Sequence, residues 1–112
     1  MRPLLFLLLI SSILSGCTSH VVEVDINNHL AAPVRNIEVS FGGGTYGRSS
    51  IAASGTHHNR IKIFSLAPIQ VQFDDPAGKH ITTVGPQLAK NAEGTLSLTI
   101  DDSGAHWSSA AK

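Results

Sequence analysis

The sequence predicts an all-β protein, an antiparallel β-sandwich of about seven strands, and three observations lead there. Short stretches alternate apolar and polar residues with a period of two, the pattern of strands buried on one face. Clusters of Gly, Pro, Asn, Asp and Ser separate those stretches at the spacing of turns. No stretch beyond residue 20 sustains the 3.6-residue period of an amphipathic helix.

Ahead of the strands comes a different kind of segment. Met1-Arg2 supplies one positive charge, residues 4–10 form an unbroken apolar run, and residues 11–16 turn small and polar. This is the layout of a secretory signal, and it stops well short of the ~20 apolar residues of a spanning helix. Ser11, Ser12, Ser15 and Gly16 also disfavour a continued helix. The segment ends in Leu14-Ser15-Gly16-Cys17, which resembles the lipobox of small bacterial lipoproteins. The resemblance implies cleavage between Gly16 and Cys17, with diacylglyceryl on the Cys17 sulfur and palmitate or another acyl chain on its new α-amine. It also implies a mature chain held to a membrane through that lipid anchor. Thr18 is compatible with delivery to the outer membrane, facing the periplasm, rather than retention at the inner one.

Cysteine usage agrees. Cys17 is the only cysteine, so no disulfide staples the domain, and lipidation accounts for a single thiol outside the cytoplasm. The expected organisation is therefore a signal peptide at 1–16, an acylated tether at 17–20, a sandwich domain at 21–102 and a tail at 103–112. The tether is short enough to hold the domain roughly 10 Å from the lipid surface.

Within the domain, residues 20–27 place Val22, Val24 and Ile26 on one face and Glu23 and Asp25 on the other. Asn27-Asn28-His29 and Ala32-Pro33 break that strand. Residues 35–41 form a second, with Ile37, Val39 and Phe41 inward, ended by Gly42-Gly43-Gly44. Residues 45–52 suit a short edge strand before the Ser54-Gly55 turn. Ile61 and Ile63 alternate with Arg60 and Lys62, and Ile69, Val71 and Phe73 with Gln70 and Gln72. Asp74-Asp75-Pro76-Ala77-Gly78-Lys79 is rich in turn formers and predicts a hairpin into residues 79–84, where Pro86 is expected to end the strand. Residues 88–93 suggest one helical turn or an irregular crossing. Residues 95–101 are the clearest strand, with Leu96, Leu98 and Ile100 opposite Thr95, Ser97 and Thr99. Residues 22–28, Pro33-Val34 and the Ile51-x-x-Ser54-Gly55 turn resemble bacterial immunoglobulin-like or transthyretin-like modules, a resemblance that bears on fold and not on activity.

Charge narrows the function classes. Eight basic and eight acidic residues balance, and loss of Arg2 with the leader leaves one net negative charge. A nucleic-acid binder needs a basic surplus, which is absent. Gly42-Gly43-Gly44-Thr45-Tyr46-Gly47 fits G-x-G-x-x-G, but neither the helix nor the acid ~20 residues on that a dinucleotide site requires follows it. The pattern reads as a hairpin or bulge loop, and no cofactor is expected.

Six histidines make a metal site the next hypothesis, with His57, His58 and His80 as candidate ligands. Against it, adjacent strand residues point to opposite faces, and no methionine follows Met1. No catalytic residues emerge. There is no G-x-S-x-G elbow, Asp74-Asp75 and Asp101-Asp102 sit at strand ends where Asp is a turn residue, and Ser109-Ala110-Ala111-Lys112 matches S-x-x-K only at a terminus. Trp107, among small polar residues, either caps an open end of the sandwich or contacts a partner. The expected function is non-enzymatic: an interaction or assembly module in the bacterial cell envelope, with a protein partner. The alternatives are a periplasmic ligand or metal binder and an inhibitor of an envelope enzyme.

Overall fold

The computed structural model describes residues 20–109; the expected signal segment and lipobox, with Cys17, lie outside the described residues. Eight strands run in order: β1 (Val22–Asn28), β2 (Val34–Phe41), β3 (Gly44–Ile51), β4 (Thr56–Ile61), β5 (Ala67–Asp74), β6 (His80–Leu88), β7 (Gly94–Asp101) and β8 (Gly104–Ser109). They form two four-stranded sheets, ordered β4-β1-β7-β8 and β3-β2-β5-β6. Together these make an all-β sandwich.

The alternating residues fill the space between the sheets. Val22, Val24 and Ile26 of β1 and Leu96, Leu98 and Ile100 of β7 line one wall. Val34, Ile37 and Val39 of β2 and Ile69, Val71 and Phe73 of β5 line the other. Each such side chain contributes about 1.5–3 kcal/mol by leaving water. In β2 the inward residues are three apart at Val34 and Ile37 because the register to β5 slips between Arg35 and Glu38. Asn36 takes the left-handed backbone there (φ 52°) and donates from Nδ2 to Asp74 Oδ2 at 2.8 Å. Phe41, expected inward, is only half-buried and packs on the core's margin beside Tyr46.

Three expectations are corrected. Residues 104–109, assigned to the tail, form β8 against β7 and bring the count to eight strands. Only Ala105 and Trp107 turn inward along that strand, too few to show a period in the sequence. Pro86 does not end β6, which continues to Leu88. A residue without an N–H is tolerated there because β6 is an edge strand and its register to β5 shifts between Pro68 and Gln70. The pairing is also not antiparallel throughout, since β1 and β7 run parallel from Val22↔Gly94 to Asn28↔Ile100. Side-chain alternation sets the face a strand buries and is silent on the direction of its neighbour. Residues 88–93 take the irregular crossing, with a turn closed by Ala92 N–H donating to Ala89 C=O at 3.0 Å.

Two aromatic contacts close the long sides. On one, the Tyr46 ring of β3 lies 6.1 Å from the His57 ring of β4. On the other, Trp107 of β8 donates from Nε1 to Thr83 Oγ1 of β6 at 2.9 Å. Gly85 makes room for the indole, because a Cβ there would lie 2.9 Å from it and 2.7 Å from Ile69. The two ends differ. The chain enters beside Glu93, where His20 Nδ1 is 3.3 Å from its carboxylate and where β1 starts next to Ile61 and Gly94. This is the entry pole; Asn28, at the other end of β1, marks the far pole.

Candidate functional site

At the far pole three connections stand around an apolar cleft. Leu30, Ala31 and Ala32 follow β1, Asp75, Pro76 and Ala77 join β5 to β6, and Asp101, Asp102 and Gly104 turn β7 into β8. Phe73, Ile81, Ile100 and Ala105 form the floor of a space of about 460 Å³.

Asn28 holds the first of these walls. It is the one fully buried polar residue among the described residues, at the end of a strand whose other inward residues are aliphatic. Its Nδ2 donates to the carbonyls of Ala32 (3.0 Å), Ile51 (3.1 Å) and Ala52 (3.2 Å), and its Oδ1 accepts from the Leu30 N–H (3.0 Å). Its own N–H donates to Gly55 C=O at 2.8 Å. One amide thus ties β1, the loop carrying Leu30 and the β3–β4 turn together across the two sheets.

The other walls are tied by carboxylates. Asp75 Oδ1 accepts from the N–H groups of Ala77 (3.0 Å) and Lys79 (2.9 Å). Asp101 Oδ1 accepts from the Ser103 N–H (2.9 Å) and hydroxyl (2.7 Å). The Ser103 hydroxyl, with smaller help from its N–H and from His106, holds the Asp101 carboxyl below the usual carboxylate range. Next to the cleft, Asp74 is lowered first by the Asn36 amide and then by His80, whose Nδ1 lies 3.0 Å away. The rim is therefore acidic over an apolar floor.

Asp101, Ser103 and His106 bring together the three residue types of a hydrolase triad, yet the geometry differs. Ser103 Oγ and Asp101 Oδ1 both approach the same imidazole nitrogen, Nε2, at 2.8 and 3.1 Å, and the serine also bonds the aspartate directly. A relay needs the acid and the nucleophile on opposite nitrogens. The cluster is the internal bonding of a tight turn.

The candidate metal ligands are dispersed. His57 and His58 point to opposite faces of β4, and His80 begins β6 in the other sheet. His58 faces outward beside Asp25 and Glu23, and His57 turns toward Tyr46. Burial, followed by the positive charges of Arg48 and His58, lowers the His57 pKa. Among the described residues no three His, Cys, Asp or Glu side chains gather as a metal site. Trp107, expected either to cap an open end or to contact a partner, is half-buried with its indole N–H engaged, along a side of the sandwich rather than across an open end. The glycine pattern forms the β2–β3 hairpin, with Gly43 at φ 98°.

The cleft has no signature along the chain, because it is assembled from three connections that approach only after the sheets pack. The buried role of Asn28 was equally hidden, since Asn after an alternating run reads as a strand break.

Fold and cleft together define an all-β sandwich with an apolar opening at one pole. No family model matches the chain, and no curated protein matches it. Among solved structures it is similar to an NMR structure of a protein from Eubacterium rectale, at 13% identity over 81% of this chain and 89% of that one, with a TM-score of 0.59. That likeness concerns the fold.

Proposed function

We propose that the chain is a small lipoprotein of the bacterial cell envelope, acylated at Cys17 after cleavage of residues 1–16, that presents its far pole to a protein partner at the membrane surface. The observation behind this reading is a polarity. The chain enters the sandwich at one pole, three residues after Cys17, and the apolar cleft opens at the other. β1 spans the distance between them, about 20 Å at ~3.3 Å per residue. An anchor at Cys17 therefore leaves the cleft facing away from the lipid, toward the periplasm if the membrane is the outer one. Leu30, Ile81 and Ala105 below an acidic rim suit an aliphatic side chain flanked by basic residues. The proposed activity is binding.

A photo-reactive residue at Ala77, on the cleft wall, tests the reading in cells. A discrete protein adduct is expected there and not from the same group at Thr95, on the outer face near the entry pole. Equal labelling at both positions, or none at Ala77, would count against a partner in the cleft. A small apolar ligand is the second reading, favoured by a volume within the ~300–1,000 Å³ of small-molecule sites. Native mass spectrometry of the protein taken from cells would reveal it as an added mass that Ile81→Glu abolishes.

A further inference from the structure

The entry pole carries its own surface. Phe64 is 57% and Leu66 67% exposed, on the connection between β4 and β5. They are two of the three large apolar side chains left exposed among the described residues; the third, Val84, lies mid-strand on the outer face of β6. The connection belongs to the entry pole because Phe64 N–H donates to Gly42 C=O at 2.9 Å and Asn91 N–H to Ile63 C=O at 3.0 Å. Gly42 begins the β2–β3 turn at this end, and Asn91 is two residues from Glu93, which meets His20. The loop is held in place rather than loose: Ile63 is fully buried, and the backbone of Ser65 lies so close to Gly42 that a Cβ there would fall 1.8 Å from the Ser65 carbonyl oxygen. Two apolar side chains are therefore presented on a fixed backbone at the pole where the chain arrives from Cys17.

Charge at this pole fits an anionic surface. The acids Glu23 and Glu93 already face Arg60 with His58 and His20 respectively. Lys62 and Lys90 have no carboxylate within ion-pair distance among the described residues, and the Lys62 ammonium lies 5.7 Å from the centre of the Phe64 ring. From Cys17 to His20 the chain can extend at most about 10 Å. An acyl chain in the bilayer would thus bring the entry pole within side-chain reach of the headgroups.

We infer that Phe64 and Leu66 insert into the lipid interface, with Lys62 and Lys90 toward anionic headgroups, so that the domain docks upright on its own membrane instead of swinging on the tether. The inference rests on the lipoprotein reading and adds a second contact to the first. One covalent anchor fixes position and leaves tilt free, whereas an anchor with an apolar contact beside it fixes both. Upright docking would hold the far cleft at a constant height.

The test uses the full chain purified from membranes, after the mass of its N-terminal peptide has established whether Cys17 is acylated. Ser65→Cys, between the two apolar residues, is labelled with an environment-sensitive fluorophore and reconstituted into phosphatidylethanolamine/phosphatidylglycerol vesicles carrying a spin-labelled lipid. Docking predicts quenching of about twofold or more at residue 65, as for groups held at the acyl boundary, and none for the same label at Ala77→Cys. Adding Phe64→Ser and Leu66→Ser should bring residue 65 down to the Ala77 level while the protein stays acylated and vesicle-bound. Acylated protein unquenched at residue 65 overturns docking alone, and a concentration-dependent blue shift without quenching replaces it with self-association. An unacylated Cys17 overturns the anchor and the docking with it.

Discussion

Replacing Asn28 by Ala removes four hydrogen bonds at once. Three carbonyls, from Ala32, Ile51 and Ala52, lose their donor, and the Leu30 N–H loses its acceptor. The residue is fully buried and the bond to Ile51 is buried with it, while the other three are part-buried, so water does not readily replace the Ile51 bond. The Nδ2 group shares two hydrogens among its three acceptors, so with the Leu30 bond the loss counts as about three full bonds, roughly 3 kcal/mol at about 1 kcal/mol net each. A domain of this size has only about 5–10 kcal/mol in total. Asn28→Asp keeps the acceptor for Leu30 but sets a carboxylate against three carbonyl oxygens, and should destabilise at least as much at neutral pH. His29→Ala, one residue on and exposed, should stay within about 0.5 kcal/mol. Urea unfolding followed by Trp107 emission gives all three values. Because the amide also holds the Leu30 wall, Ile81 and Phe73 should exchange environment in Asn28→Ala even where the fold survives, visible as shifted methyl and ring resonances. A change below about 1 kcal/mol, with an unchanged spectrum at the cleft, would refute the view that one buried amide organises the far pole.

Leu98→Asp, at a fully buried position of β7, should cost several kcal/mol and unfold the protein, whereas Thr99→Asp on the outer face should not; circular dichroism separates them. Gly85→Ala should displace the indole of Trp107, break its bond to Thr83, red-shift its emission and lower stability by about 1–3 kcal/mol. An unchanged spectrum would mean the indole is not seated there. His57 binds its proton less readily folded than unfolded, so its contribution is complete above about pH 6.5 and is lost as pH falls below that value. His57→Gln should accordingly lose less melting temperature than the parent between pH 7 and 5, and equal losses would contradict the lowered pKa. Asp74 and Asp101 act lower: both are held ionised, so their share is present above about pH 4 and disappears as pH falls through their folded values, which a second acid transition in the same melting series would show.

Much of the sandwich was legible because burying one face of a strand forces a period of two. Val22, Val24, Ile26, Ile69, Val71, Phe73, Leu96, Leu98 and Ile100 all lie where that period puts them. The opposite facing of His57 and His58 followed from the same geometry. What stayed hidden depends on a neighbour rather than on the residue itself. The parallel β1–β7 pair brings together segments more than sixty residues apart, and Pro86 stays in β6 only because that strand lies at a sheet edge. β8 carries two inward residues among small polar ones, so its partner β7 defines it. The cleft and the entry-pole pair, Phe64 and Leu66, are products of packing: an isolated exposed Phe or Leu has no signature in the sequence until the chain's entry point is placed beside it.

Both proposals turn on Cys17, and one measurement addresses it directly. The protein is expressed with its full leader in a lipoprotein-processing bacterium, extracted from membranes with detergent, and the mass of its N-terminal peptide is determined. The expected product is a chain beginning at Cys17 and carrying diacylglyceryl on sulfur and a further acyl group on the α-amine. A free Cys17 thiol in a chain that still begins at Met1 would contradict it.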